Sequence, residues 1–271
     1  MAAEISAQLV RELREKTGAG MMDCKRALQD TNGDLEAAVV LLREKGMANA
    51  AKRADRATTE GLVGYRLADD NSRGTMVAVG CETEPVSKNE EFQAFGRKAL
   101  DLVEAGGIDA LSQLDEERAE LSGKLGENIA IAGAARFEAA VDGGRLAAYV
   151  HPPANKLGVL LHLRGGDDEL ARNLAMHISW SDPRWIGRED VPDDLVAAER
   201  EIYLNSDEVQ SKPEQAREKI VTGMLDKRFF ADRGGVLADQ PWIHDGSLTV
   251  GKVLADAGAA VLEFQRFSLA G

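Results

Sequence analysis

The chain has 271 residues, 44% of them apolar and 29% charged, a length suited to about two structural units with buried cores and a charged surface. Its 46 acidic and 33 basic residues give a formal charge of -13, which repels a phosphate backbone and argues against nucleic acid as a direct partner. Cys24 and Cys81 form neither a CxxC pair nor a disulfide framework. With no secretory pattern at the N-terminus and no apolar run near the roughly twenty residues of a membrane span, a cytoplasmic protein that does not enter the membrane is expected.

In chain order, Ser6 reads as an N-cap between Ile5 and Val10 at hydrophobic-staple positions, opening a helix that carries Leu9, Val10 and Leu13 and stops at Gly18. A second short helix sets Met21, Cys24, Ala27 and Leu28 on one side and breaks at Asn32-Gly33. Leu35, Ala38, Val39 and Leu42 mark a third helix, with Gly46 as its expected stop. Residues 47 to 59 follow as an Ala-rich segment with Lys52, Arg53 and Arg56, either a solvated helical linker or a partner-binding stripe.

The pattern then changes to period two. Leu62–Leu67 and Thr75–Gly80 flank a polar turn at Asp70-Asn71 and predict a hairpin, followed by a helix with Ser87 and Glu90 as a capping box and Phe92, Phe95, Ala99 and Leu102 on its buried face. After a helical stretch expected around Leu111 to Ile131, the same order recurs. Leu146–Val150, a turn at Pro152-Pro153, Leu157–Leu163 and a helix from Asp168 to about Trp180 place Tyr149 where the first unit has Tyr65. This recurrence predicts an internal duplication and an α+β class with antiparallel sheets.

Leu195, Ile202 and Val209 recur at seven-residue spacing, Ser211-Lys212-Pro213 interrupts, and Ile220, Met224 and Lys227 continue, predicting an antiparallel helical hairpin with a narrow apolar stripe. A helix from Val250 to Ala257 and a strand Ala260–Phe267 close the chain, the strand joining the second sheet.

Enzymatic equipment is sparse. No GxxxxGK[ST] loop, HExxH or GxSxG occurs, Gly18-Ala19-Gly20 follows a helix rather than a strand, and His151, His162, His177 and His244 share no metal-ligand spacing. Paired carboxylates such as Glu90-Glu91 and Asp167-Asp168 sit at expected helix starts, where they complement the dipole. The expectation is a protein without cofactor, metal or covalent chemistry.

The run Leu9-Val-Arg-Glu-Leu-Arg-Glu-Lys-Thr-Gly-Ala-Gly-Met-Met-Asp-Cys-Lys-Arg-Ala-Leu28 resembles the opening signature of the bacterial elongation factor Ts family. Asn32-Gly33-Asp34, Gly126-Glu127-Asn128-Ile129, Ala175-Met176-His177-Ile178, Glu189-Asp190-Val191, Lys212-Pro213 and Phe264-Gln265-Arg266-Phe267 continue the resemblance in the family's order. It implies an N-terminal three-helix ubiquitin-associated-like bundle (1–57), a first core subdomain (58–142), a second (143–190 and 234–271) and a coiled-coil hairpin (191–233).

Functionally the resemblance implies a guanine nucleotide exchange factor that binds elongation factor Tu in its GDP-bound and nucleotide-free forms. It assigns partner contacts to Met21, Met22 and Lys25, and to His177, Ile243 and His244 of the second core unit. The methionines can equally be core packing, and a histidine on a helix face is commonly buried structure. The exchange loop, which dislocates the partner's Mg²⁺, is Thr83-Glu84-Pro85-Val86, where the family usually has Thr-Asp-Phe-Val. It is expected as an exposed loop, with Pro85 offering less apolar surface than a Phe wedge. A further C-terminal helix that some relatives carry has no counterpart before Gly271.

Overall fold

A computed structural model of the chain describes residues 5–139 and 144–269; the expected boundary at 142/143 lies outside the described residues. Three helices come first, α1 (Ala7–Thr17), α2 (Met21–Asp30) and α3 (Leu35–Arg53). The Ser6 hydroxyl accepts from the Leu9 amide at the head of α1, and Gly18, at φ 67°, closes it in the left-handed conformation that glycine adopts without strain. Val10, Leu13, Cys24, Ala27, Leu28 and Ala38 form the buried centre of this bundle.

Gly46 does not end the third helix. Helix α3 runs through it to Arg53, because Gly46 is where α3 crosses α6 (Asp115–Leu125) at close range. A Cβ on Gly123 of α6 would stand 2.8 Å from the Gly46 Cα. Arg43 of α3 is paired with Glu116 and Glu120 of α6, so the bundle is fastened to the body and the segment after Gly46 belongs to the same helix.

The body contains two three-stranded antiparallel sheets. The first has the order β1 (Glu60–Leu67), β2 (Arg73–Cys81), β3 (Ala130–Glu138), and the second β4 (Gly144–Val150), β5 (Leu157–Arg164), β8 (Ala260–Ser268). Strand β3 corrects the expected helical stretch, which ends with α6 at Leu125; from Ala130 the chain pairs along β2. Its small residues Ala130, Ala132, Gly133, Ala134 and Ala135 carry little strand signal, and the unsatisfied edge of β2 decides their conformation.

Both central strands are buried on two faces. In β2, Val77, Val79 and Cys81 face α5 (Glu90–Gly106) with Phe92, Phe95 and Ala99, while Met76 and Ala78 pack with Val63, Ala135 and Leu160 between the sheets. In β5, Val159, Leu161 and Leu163 face α7 (Asp168–Ser181) through Leu174, Ala175 and Ile178. The result is a helix–sheet–sheet–helix sandwich, which explains the nearly continuous apolar run Leu157–Leu163. The α5 cap also differs from expectation: Asn89, not Ser87, accepts from the Glu91 and Phe92 amides, at 2.9 and 3.2 Å. Ser87 instead closes a preceding turn.

Between α7 and the last strand, α8 (Asp193–Leu204), α9 (Asp207–Gln210) and α10 (Glu214–Met224) form the helical hairpin. Its buried side chains are Val209, Val221, Met224, Leu225 and Phe230, with Val196, Tyr203 and Leu204 against them. Leu195 and Ile202, expected on the stripe, are exposed: α8 ends at Leu204 before α9 begins, so the seven-residue phase is reset across the break. A short ribbon, β6 (Pro241–Trp242) with β7 (Asp245–Thr249), and α11 (Val250–Asp256) lead into β8.

Candidate functional site

At the head of α2, Cys24, Ala27 and Leu28 fill the bundle core, which leaves Met21 43% and Met22 64% exposed. Core packing is therefore not their role. Lys25 is exposed beside them. The turn before α2 is seated against α6, since a Cβ on Gly18 would collide with the Lys124 side chain. Lys124 also pairs with Glu91 in the first turn of α5 at 2.7 Å, which links this corner of the bundle to the segment just after residue 86.

Thr83, Glu84, Pro85 and Val86 are not an extended loop but the start of a single helical turn, α4 (Glu84–Ser87), with Pro85 in its first turn, where the missing amide costs nothing. Thr83, Glu84 and Pro85 are exposed, whereas Val86 leans into the core beneath α5. The Ser87 hydroxyl donates to the Glu84 carbonyl at 2.7 Å, and Lys88 pairs with the Glu84 carboxylate at 2.7 Å, holding that carboxyl below its ordinary range.

The entry to this turn is held by the α6–β3 connection. The Glu127 carboxylate accepts from the Glu82 and Thr83 amides, both at 3.0 Å, and from the Thr83 hydroxyl at 2.5 Å. The Asn128 amide donates to Glu82 Oε1 at 2.7 Å, and its side chain donates to the Ala54 and Arg56 carbonyls at 3.1 and 2.8 Å. Burial, with the neighbouring Glu127 charge, pushes the Cys81 thiol up to about 12, so it stays protonated and donates to the Thr83 carbonyl. Sequence reading found Gly126-Glu127-Asn128 only as a family match, without a role; residues 45 apart in sequence meet here.

In the second unit, His177 is fully buried and Ile243 is 40% exposed. Its imidazole stacks on Trp242, with ring centroids 5.3 Å apart. Nδ1 accepts from the Ile243 amide at 3.3 Å, which leaves Nε2 to donate to Gln240 Oε1 at 3.0 Å. Gln240 Nε2 in turn donates to the Ser181 and Asp232 carbonyls. Burial pulls the His177 pKa down, in keeping with a neutral ring whose two nitrogens are both satisfied. His177 thus lies beneath the surface and supports Ile243 and the exposed His244, whose ring lies 4.9 Å from Trp242.

The helix that carries His177 also presents an aromatic that sequence reading passed over as the end of a helix. Trp180, one turn beyond His177, is 69% exposed with the Arg233 guanidinium over its ring. Among the described residues no group of three or more His, Cys, Asp or Glu side chains is arranged to hold a metal, and no helix is long and apolar enough to cross a membrane.

The family model described as Elongation factor TS matches residues 82–271. The chain belongs to the elongation factor Ts family. It is 42% identical to elongation factor Ts of Thioalkalivibrio sulfidiphilus over 275 residues, covering 98% of this chain and 92% of that protein. Elongation factor Ts of Teredinibacter turnerae and of Escherichia coli O139:H28 are each 40% identical over 271 residues, with 98% of this chain and 90% and 92% of theirs covered. The family match takes in β3, the whole second sheet and the helical hairpin, and the relatives, covering 98% of the chain, extend it over β1, β2 and the N-terminal bundle.

Proposed function

We propose that this protein is the guanine nucleotide exchange factor of elongation factor Tu, acting in the cytoplasm without covalent chemistry. It binds the GDP-bound GTPase and promotes GDP release and replacement by GTP. The observation that carries the reading is the pairing of family membership with two exposed, structurally supported patches: the α2 head with the 83–86 turn, and Ile243-His244 over His177.

Met21, Met22 and Lys25 grip the GTPase domain, thioethers adapting to its surface. The Thr83–Val86 turn reaches toward the Mg²⁺ and phosphate region, and Ile243 with His244 hold a second domain. His177 acts from below by fixing the Ile243 backbone. Binding the nucleotide-free GTPase more tightly than the GDP form weakens GDP by the same factor. The units that do this are the ubiquitin-associated-like bundle of residues 1–57, two core subdomains related by duplication (58–142; 143–190 with 234–271) and the 191–233 hairpin.

Stopped-flow release of a fluorescent GDP from elongation factor Tu tests the proposal. Acceleration that saturates with factor concentration is expected. A complex that forms without acceleration makes the protein a holding partner instead, and no complex at all overturns the assignment. Deleting residues 1–55 should leave a folded body that binds weakly, and undiminished binding would remove Met21, Met22 and Lys25 from the contact set.

A further inference from the structure

The exchange turn begins where strand pairing stops. Cys81 is the last residue of β2 paired with β1, and Gly80 the last paired with β3, so the Glu82 and Thr83 amides have no ladder partner. Both donate to one carboxylate, that of Glu127, which also takes the Thr83 hydroxyl. Bonds from an amide or hydroxyl to an ionised acceptor are the stronger kind. Among the described residues no Lys, Arg or His is within ion-pair distance of Glu127, so the carboxylate's acceptor capacity is committed to the turn rather than to a cation.

The neighbouring residue ties the same point elsewhere. Asn128, 4% exposed, receives the Glu82 carboxylate on its backbone amide and grips the Ala54 and Arg56 carbonyls with its side chain. Arg56 also reaches Glu82, at 3.3 Å. Residues 54–56 are the chain's exit from α3, so one dipeptide fastens both the exchange turn and the tether of the N-terminal bundle.

We infer that Glu127 is a positioning residue for nucleotide exchange: it fixes the angle at which Thr83, Glu84 and Pro85 are presented, with Asn128 holding that angle in register with the N-terminal bundle. The inference rests on the exchange-factor reading above. Glu127 does not itself touch the GTPase in this role. Its loss therefore lowers the maximal rate of GDP release, because the turn no longer meets its target in one orientation, while the contacts that set affinity remain.

The experiment uses the full chain and the variants Glu127→Gln, Glu127→Ala and Thr83→Val, each measured for GDP release across a range of factor concentrations. For Glu127→Ala the maximal rate is expected to fall about tenfold, within the range that misplacement of a reacting group produces, with less than about a threefold change in the half-saturating concentration. Thr83→Val, which removes only the hydroxyl bond, should lose about threefold. Hydrogen exchange on the free factor supplies an independent readout. The Glu82 and Thr83 amides should lose protection in Glu127→Gln while Met76 to Val79 in β2 keep theirs, which separates a released turn from an unfolded sheet.

An unchanged maximal rate in the Glu127 variants overturns the inference while the wild type's own activity upholds the exchange-factor reading. A raised half-saturating concentration at an unchanged maximal rate would make Glu127 a contact and not a positioner. Loss of protection throughout β2 would reduce it to a fold determinant. A wild type that fails to accelerate release overturns the functional reading, and this role of Glu127 with it.

Discussion

The two sheet units carry their surface patches on supports of opposite character. In the first, the 83–86 turn is held by carboxylate bonds at the rim, through Glu127 and Glu82, and by the exposed Glu84–Lys88 pair. In the second, Ile243 rests on a neutral, fully buried imidazole whose partners are an amide side chain and an indole face. The first set of bonds lies at the solvent rim, so the angle of the turn depends on a few charged acceptors, whereas the Ile243-His244 patch is fixed from within the core. On the function proposed above, the Ile243-His244 patch is the platform that holds one part of the GTPase and the 83–86 turn the lever that displaces another.

The largest test of this contrast is His177→Ala. It leaves Gln240 and the Ile243 amide without their buried partner and opens space beside Trp242, so thermal or denaturant unfolding should show a loss of about 2 to 4 kcal/mol. A loss under 1 kcal/mol would mean that water replaces the ring and the second support is as adaptable as the first.

The seat of the bundle comes next. Gly123→Ala should destabilise by about 1 to 3 kcal/mol through overpacking, since its Cβ would stand 2.8 Å from Gly46 backbone that cannot yield easily. Gly46→Ala meets Gly123 only at 3.6 Å and should be neutral or stabilising by up to about 1 kcal/mol, the helix-propensity gain. Equal effects from both substitutions would contradict the crossing described here.

On the lever itself, Pro85→Phe restores an apolar wedge at an exposed position. It should speed GDP release about tenfold, equivalent to about 1.4 kcal/mol; an unaltered rate would show that the turn's angle, and not its apolar tip, limits exchange.

The smallest expected effect is on pH dependence. Because burial lowers the His177 pKa, the unfolded chain binds a proton below its ordinary value of about 6.5 while the native ring stays neutral. Its contribution is complete above that value, declines as pH falls below it and levels off once the native ring also titrates. His177→Gln should flatten this segment of the stability profile, and an unchanged slope would place the acid sensitivity elsewhere.

Local chemistry made much of the fold legible in the sequence. The Ser6 and Gly18 caps, the polar hairpin turn and the doubly buried Leu157–Leu163 run are decided within a few residues. What escaped depends on partners distant in the chain. Strand β3 exists because β2 has an edge to satisfy, Gly46 continues its helix because Gly123 faces it, and Leu195 and Ile202 turn outward because the helix breaks between Leu204 and Asp207. The candidate site follows the same division. Met21 and Met22 were readable as a surface-or-core choice that burial of Cys24, Ala27 and Leu28 resolves, but no local pattern announces that Glu127 closes on Thr83.

The most direct measurement is the affinity of the factor for elongation factor Tu with and without saturating GDP, set beside the affinity of the GTPase for GDP with and without saturating factor. Reciprocal coupling requires the two ratios to be equal and greater than one. Equal and large ratios are expected; a factor that binds the GTPase with the same affinity whether or not GDP is present would contradict nucleotide exchange as the work of this fold.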